Sequence, residues 1–303
     1  MPANHRNRID RRSAVQLAAG GVLGLTLPAL LRAKESSSEK PPAAKSVIHL
    51  YLTGGFAAQE SWDPKPEAPT DYRGSFNVTK TKTGHHFSEN FTRMAAVADK
   101  MSVIRSMHCK IPDHGQAAYH LFTGYVPTTV IDYPQMGAVV SQQFGPRQNL
   151  PPYVAIPDKV ASTGGTGYLS SKYGAFELHA DPGGRGEFKV KDFALPAGVT
   201  RKQLDRRRRA RTILETRLRQ QGVDETQLGT MDEFYQRAYT LLSSPEARAA
   251  FSLDGESQAT RDLYGSGYVL SYRRQPAAIG ARLMMARRLV AAGVRLVTVR
   301  YDG

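Results

Sequence analysis

The chain alternates between short apolar runs and amphipathic segments. The apolar runs, rich in β-branched and aromatic residues and followed by turn-forming or polar residues, predict buried strands at Val47–Leu52, Met101–Met107, Tyr153–Ile156 and Val294–Arg300. Between the first three of these runs, apolar residues at helical spacing predict helices over residues 91–99, 116–122 and 134–144. Strands and helices that alternate in this way are typical of an α/β sheet with helices on both faces.

The composition becomes helical from about residue 200. The spacing predicts helices over residues 201–220, 231–242, 245–251 and 277–292. In the last of them, one apolar stripe is formed by Ile279, Leu283, Ala286 and Val290, and Gly293 provides a stop signal. We therefore expect a helical insertion around residues 200–292 before the chain returns to the sheet.

Residues 1–33 have the composition of an export signal. Four arginines precede an uncharged run over residues 14–31, and the small residue Ala33 follows it. The pair Arg11-Arg12 directly before the run indicates twin-arginine translocation. A single membrane span is the alternative, retained if the signal is not cleaved, but the run is short for a span and Pro28 interrupts it. Residues 34–45 are predicted to be a flexible tether, and residues 46–303 the folded domain.

The charge and the cysteine content exclude several classes of protein. Among 303 residues there is one cysteine, Cys109, which excludes a disulfide scaffold and a cysteine-only zinc site. Of the net charge of +14, the leader carries +4 and residues 201–219 carry +7. That basic segment has no aromatic residues, and export makes nucleic acid an unsuitable partner. It is either a solvated helix face or an anion-binding surface centred on Arg206, Arg207, Arg208 and Arg209.

Candidate chemistry lies just after predicted strands, where α/β sheets commonly carry their ligand sites. Glu60 and Asp63 follow the first strand and its Gly54-Gly55 turn, and carboxylates of this kind are ligands for hard cations. The second predicted strand leads into a segment that is dense in histidine and contains Asp113, His114 and His120. We interpret this segment as the best candidate site, although a single histidine is more often structural than a ligand.

Several separated motifs resemble one bacterial family. They are the twin-arginine leader, Gly54-Gly55 with Trp62-Asp63-Pro64-Lys65-Pro66, Asp113-His114 with Thr123-Gly124, Met231-Asp232, and the run from Ala286 to Arg295. Together they resemble the exported domain of unknown function 1501, over essentially the whole chain. The resemblance implies membership of the alkaline phosphatase/sulfatase superfamily, with a three-layer α/β/α fold, divalent metals and cleavage of phosphate or sulfate esters.

The superfamily resemblance implies a metal site, but this sequence departs from the sulfatase motif around Cys109. The implied ligands are Glu60, Asp63, Asp113, His114 and His120, for zinc, calcium or magnesium, with a small-molecule or polysaccharide ester as substrate. Cys109 is one residue farther from Pro112 than in the sulfatase motif, and the motif's arginine is missing. We therefore expect Cys109 to be a buried, inert residue and not a nucleophile.

The resemblance also suggests that the domain is C-terminally incomplete. In relatives, the strand that matches residues 297–301 continues into Gly-Trp-Asp-x-His, whereas this sequence stops at Gly303. The leading hypothesis is a metal-dependent ester hydrolase of the periplasm or cell surface that lacks part of its active site. A non-catalytic envelope protein that binds an anionic polymer is the alternative. A non-functional remnant, with an exposed sheet edge, is the third.

Overall fold

The computed structural model describes residues 44–301 with gaps at 56, 161–162, 187, 191–197, 222–238, 240, 242–243, 266–268, 271–275 and 278. The chain divides into two units, Met1–Lys45 and Ser46–Gly303, and the elements of the fold belong to the second. The predicted export leader and most of the predicted tether lie outside the described residues. The predicted helix over 231–242 also lies largely outside them.

Four parallel strands form the main sheet. In spatial order they are β1 (Val47–Leu52), β8 (Leu296–Tyr301), β4 (Tyr153–Ile156) and β5 (Phe176–Glu177). The last strand along the chain, β8, therefore lies between β1 and β4 and pairs with both. Because all four strands run in the same direction, their carboxyl ends meet at one edge of the sheet.

Two antiparallel pairs lie apart from the main sheet. One consists of β2 (Val78–Lys80) and β3 (His86–Ser88), and the other of β6 (Val269–Leu270) and β7 (Pro276–Ala277). Phe87 on β3 packs edge-to-face against Trp62, with the ring centroids 5.5 Å apart. The first pair thus has a small apolar cluster of its own.

Seven α-helices occur within the described ranges. They are α1 (Thr92–Ala95), α2 (His114–Thr123), α3 (Met136–Phe144), α4 (Arg201–Gln220), α5 (Pro245–Ala250), α6 (Gln258–Tyr264) and α7 (Ile279–Ala292). Asp113 caps the amino end of α2, and Gly124 ends that helix in the left-handed conformation, with a φ of 78°. In the part of the chain that the structure describes, no helix is long and apolar enough to cross a membrane.

Helices contact both faces of the main sheet. On one face, Val154 and Ile156 of β4 and Val297 and Val299 of β8 join the core cluster that includes Met285 of α7. On the opposite face, Phe122 of α2 packs against His49 and Tyr51 of β1, with centroid distances of 5.0 Å to each ring. This arrangement confirms an α/β fold with a mostly parallel sheet.

Most of the predicted elements are present, but some expectations are wrong. Met101–Met107 forms no strand, and residues 102–107 are exposed. The apolar composition of this run favours a strand but does not ensure that a neighbouring strand is available to pair with it. The predicted helix over 91–99 is broken into α1 and two short 3-10 turns. Strand β1 is confirmed but is not buried: it lies at the edge of the sheet, and Ile48, Leu50 and Leu52 are each 41% exposed.

A buried arginine connects α7 to the carboxyl edge of the sheet. Arg282 is 3% exposed, and its guanidinium donates to both carboxylate oxygens of Asp181, at 2.8 and 2.5 Å. The same guanidinium donates to the main-chain carbonyl of Arg300 on β8, at 2.7 Å. Burial alone would raise the pKa of Asp181, but the hydrogen bonds from Arg282 and the Gly183 amide and the charges of Arg282 and Arg300 together outweigh it, so the pKa is lowered.

Replacing Asp181 by Ala should destabilise the fold in a pH-dependent way. Loss of the carboxylate leaves Arg282 buried without its ion-pair partner, so we expect the free energy of unfolding to fall by about 3 kcal/mol at neutral pH. The pKa of Asp181 is lowered in the folded state, so its contribution is present above the unfolded-state pKa and is lost as the pH falls below about 4. Urea denaturation across this pH range measures the difference.

The exposed Asp71→Ala variant is the matched control, for which we expect a change within about 0.5 kcal/mol. A difference between wild type and Asp181→Ala that stays constant down to strongly acidic pH would contradict a role for the charge.

Candidate functional site

A cavity of about 500 Å³ lies beyond the carboxyl end of β4. Its wall contains residues from three segments, namely Asp113, Gly115, Gln116 and Tyr119 of α2 and its cap, Pro127 and Asp132 of the following loop, and Lys159, Val160, Thr163, Gly164 and Gly165 after β4. A crevice outside the carboxyl ends of parallel strands is the usual ligand position in open α/β sheets. The cavity is therefore our candidate functional site.

Helix α2 brings its first two turns to the cavity wall. Asp113 accepts a hydrogen bond from the Gln116 amide at 2.8 Å, which fixes this carboxylate at the amino end of the helix. Tyr119 lies farther along the same helix and also lines the cavity. The sequence fixes this geometry locally, because an aspartate cap and a glycine stop define where the helix begins and ends.

Tyr119 holds the loop that contains Asp132. Its hydroxyl donates to Asp132 Oδ1 at 3.0 Å and accepts from the Tyr133 amide at 2.6 Å. Burial of the phenol and the neighbouring Asp132 carboxylate raise the pKa of Tyr119, although the Tyr133 hydrogen bond opposes them. The Tyr119 phenol therefore stays neutral at physiological pH, and its proton stays in the hydrogen bond to Asp132 Oδ1.

A glycine-rich loop closes the cavity on the β4 side. A Cβ atom on Gly164 would lie 2.6 Å from the Tyr133 carbonyl oxygen, and one on Gly167 would lie 2.4 Å from the backbone nitrogen of Pro134. Both residues have positive φ, so glycine is required there for conformation as well as for space. The loop thus packs directly against the segment that carries Asp132.

Buried hydrogen bonds link this loop to the sheet. The Tyr153 hydroxyl donates to Gln135 Oε1 at 3.4 Å, and the Thr163 hydroxyl lies 3.3 Å from the same oxygen. Tyr153 on β4 lies 3.3 Å from the Thr298 hydroxyl on β8. All four side chains are buried, and such a network is costly to break because each group would lose its partner away from water.

Lys159 is the basic residue in the cavity wall. Its ammonium lies 3.6 Å from Glu177, but the side chain is 63% exposed, so this ion pair contributes little stability and leaves the ammonium accessible. The preceding residue, Asp158, is connected to β8, because its carboxylate pairs with the Arg300 guanidinium at 2.7 Å. The wall therefore combines one accessible cation with the carboxylates of Asp113 and Asp132.

The structure brings one of the five predicted metal ligands into the cavity. Asp113 lines it, His114 is the exposed next residue, and His120 is half-buried, with no hydrogen-bond partner for its Nδ1 among the described residues. Glu60 is half-buried in a 3-10 turn. Asp63 pairs with Lys65 at 3.2 Å and Arg105 at 3.9 Å. Within the described ranges, no three His, Cys, Asp or Glu side chains are grouped to hold a metal ion.

The other predicted residues lie outside the cavity wall. Cys109 is exposed, so the expectation of a buried thiol is wrong: the segment around it is not a strand and has no covering layer. The four consecutive arginines Arg206–Arg209 are exposed on α4. Arg208 lies over the ring of Tyr239, with its guanidinium carbon 4.5 Å from the ring centroid.

Tyr119, Asp132 and Lys159 line the cavity but were not predicted as site residues from the sequence. A signal was available for Lys159, which follows a correctly predicted strand by three residues and precedes a Gly-Gly pair. Asp132 lies in an irregular loop whose position depends on contacts such as its hydrogen bond with Tyr119, so no local pattern indicates it.

Tyr119→Phe should destabilise the protein by removing the hydroxyl from between Asp132 and the Tyr133 amide. An amide left without an acceptor costs about 1–3 kcal/mol, and we expect the free energy of unfolding to fall by that amount. Urea denaturation measures it. The control is Tyr72→Phe at an exposed tyrosine, and an equal effect of the two substitutions would disprove the assigned role of Tyr119.

Comparison with known proteins gives a family but no individual relative. No curated protein and no solved structure matches the chain. A family model described as "Protein of unknown function (DUF1501)" matches residues 44–303, which includes every residue of the cavity wall. The chain therefore belongs to the DUF1501 family.

Proposed function

We propose that this protein binds and hydrolyses phosphate or sulfate esters in the cavity beyond β4. The observation that carries the proposal is the meeting of Asp113, Asp132 and Lys159 in one wall at the carboxyl edge of the sheet. Lys159 provides positive charge for an anionic group, and the cavity is within the size range of small-molecule sites. The parallel sheet with helices on both faces supports membership of the alkaline phosphatase/sulfatase superfamily.

The two carboxylates fit a divalent cation of the magnesium type. Such an ion is commonly held by one or two carboxylates together with waters and substrate oxygens, whereas a catalytic zinc site uses three protein ligands. Asp113 and Asp132, which both line the cavity, are the carboxylates that would hold such an ion. A bound divalent ion would supply positive charge that offsets the charge developing on the ester oxygens.

The chain's own residues hold the two candidate carboxylates in place. Asp113 is fixed by the Gln116 amide and Asp132 by the Tyr119 hydroxyl, so neither carboxylate has to be ordered when a ligand binds. Thr163 donates its hydroxyl proton to the Val160 carbonyl at 2.8 Å and is 3% exposed, which makes it a structural group. We propose water as the nucleophile in this cavity.

We also propose that the protein acts outside the cytoplasm. The Arg11-Arg12 leader supports export through the twin-arginine machinery to the periplasm or cell surface. The single cysteine supports folding before export, since such a fold relies on no disulfide. Fractionation of cells that carry the full chain tests this location, and retention of an Arg11→Lys, Arg12→Lys variant in the cytoplasm is the expected result.

Two substitutions in the cavity wall test the ester-binding proposal. Asp132→Asn removes a charge that would hold the cation. Gly165→Asn adds a side chain to a glycine of the cavity wall at which a Cβ atom would meet no other atom within 4 Å. Asn tolerates the left-handed conformation of Gly165, which has a φ of 54°. We expect each variant to lower Mg²⁺-dependent hydrolysis of p-nitrophenyl phosphate or sulfate, and calorimetric binding of Mg²⁺ with phosphate or sulfate, by at least about tenfold.

Matched controls lie away from the cavity. Asp71→Asn removes an exposed carboxylate that does not line the cavity, and Gly84→Asn adds a side chain at another open glycine with positive φ. Both should retain wild-type binding and activity. Absence of hydrolysis and binding in the wild type, or equal losses in variants and controls, would overturn the proposal.

A second candidate function is the retention of an anionic polymer by α4. Arg206–Arg209 are consecutive, so they point in several directions around the helix, and all four are exposed. Glu215 faces inward and pairs with Arg211, which leaves the outer surface of this helix strongly basic. This surface favours a non-catalytic envelope protein that binds an anionic polysaccharide.

Reversing Arg206–Arg209 to Glu should abolish retention on a heparin column at low salt. Attraction between exposed charges is screened by salt, so wild-type retention should fall steeply as the salt concentration rises. The control replaces four exposed basic residues outside α4 by Glu, which changes the net charge by the same amount; they are Lys82, Arg93, Lys100 and Lys110. If the control and the α4 variant elute together, retention reflects net charge and the candidate function fails.

A further inference from the structure

Three tyrosines form an aromatic cluster at the edge of the cavity wall. Tyr125 and Tyr133 are stacked with their ring centroids 4.0 Å apart and their planes inclined by 6°. Tyr133 also meets Tyr168 at 6.4 Å with an interplanar angle of 74°. Tyr125 is 44% exposed and Tyr168 is 67% exposed, so the cluster presents aromatic surface to solvent although its rings contact one another.

The cluster is fixed to the same backbone that carries Asp132. Tyr133 is the next residue, and its amide is held by the Tyr119 hydroxyl at 2.6 Å. The Tyr168 amide donates to the Asp132 carbonyl at 2.9 Å. The neighbouring Gly167 packs so closely that a Cβ would lie 2.5 Å from that carbonyl oxygen. Tyr133 and Tyr168 are therefore held in place relative to the cavity.

The third tyrosine is held by the end of α2. The Tyr125 amide donates to the Thr123 hydroxyl at 3.1 Å, and that hydroxyl lies 3.2 Å from the Tyr125 carbonyl oxygen. Since α2 also carries Tyr119 at the cavity wall, all three rings are connected by short backbone segments to cavity residues. The backbone that carries these rings is ordered before a ligand arrives, which lowers the entropic cost of stacking against them.

Exposed tyrosines of this kind suit a ligand that has an apolar face and polar edges. The face of an aromatic ring is electronegative and attracts polarised C–H groups, while the hydroxyl exchanges hydrogen bonds. A sugar ring presents axial C–H groups on one face and hydroxyl groups around its edge. The carboxylate of Asp132 beside the cluster is an acceptor for sugar hydroxyls, a contact that a purely hydrocarbon ester would not use.

We propose that Tyr125, Tyr133 and Tyr168 form a sugar-binding platform, so that the ester held in the cavity is a phosphate or sulfate ester of a sugar. The inference rests on the proposed function, because it places the sugar next to the ester group that Asp113, Asp132 and Lys159 receive. It adds a substrate class and assigns the platform a role in affinity, with no part in the chemical step.

Calorimetry with the full-length protein and Mg²⁺ tests the platform. The probes are a panel of phosphorylated and sulfated hexoses, each compared with inorganic phosphate or sulfate. We expect at least one hexose ester to bind about fivefold or more tightly than its inorganic ion, and Tyr168→Ala to remove that advantage without changing binding of the ion. Tyr168→Phe keeps the ring and should retain most of the advantage.

Tyr72→Ala is the matched control, because Tyr72 is 68% exposed, nearly as much as Tyr168, and does not line the cavity. Its binding should equal that of the wild type. If the inorganic ions bind but no hexose ester binds more tightly, or if Tyr168→Ala behaves like Tyr72→Ala, the platform is disproved and the proposed function stands. If neither ions nor esters bind, the proposed function itself fails.

Discussion

The position of β8 between β1 and β4 is the constraint on which the rest of the structure depends. Residues Leu296–Val299 pair with both neighbouring strands and are buried. The backbone N–H and C=O groups of this segment therefore find hydrogen-bond partners only inside the sheet. The pairing joins parts of the chain that are far apart, since Thr53 and Tyr301, which share a hydrogen bond, are separated by 248 residues. Closing such a loop costs entropy, and the burial of this strand and of the α7 face beneath it offsets that cost.

The same strand positions the candidate site. Its parallel pairing with β4 brings the carboxyl ends together, and Thr298 joins Tyr153 to the buried network that leads to the glycine-rich loop. Farther along, the Arg300 carbonyl accepts from Arg282, and the Arg300 side chain pairs with Asp158 next to Lys159. The cavity wall is therefore supported from the centre of the sheet, although its residues lie on loops.

The sequence predicted local elements well because local signals specify them. The Asp113 cap and Gly124 stop fix α2 within one turn, and the arginine-rich segment is helical over the predicted residues 201–220. Pairing and burial were harder to predict, because a run such as Met101–Met107 has strand composition whether or not a neighbour is available. The Asp132 and Tyr168 positions depend on contacts between loops, which no periodicity encodes. Metal ligands inferred from resemblance alone, such as Glu60, stay predictions.

The charges in the cavity wall connect the two parts of the proposed function. Asp113 and Asp132 place more negative than positive charge beside Lys159, so an anionic ester that entered alone would meet a net repulsion. Tyr119 does not relieve it, because burial raises the pKa of this phenol and its proton already serves Asp132. We therefore propose that an ester anion enters this cavity together with a cation. Binding of a divalent metal and binding of the ester should therefore be coupled, so that each ligand raises the affinity of the cavity for the other.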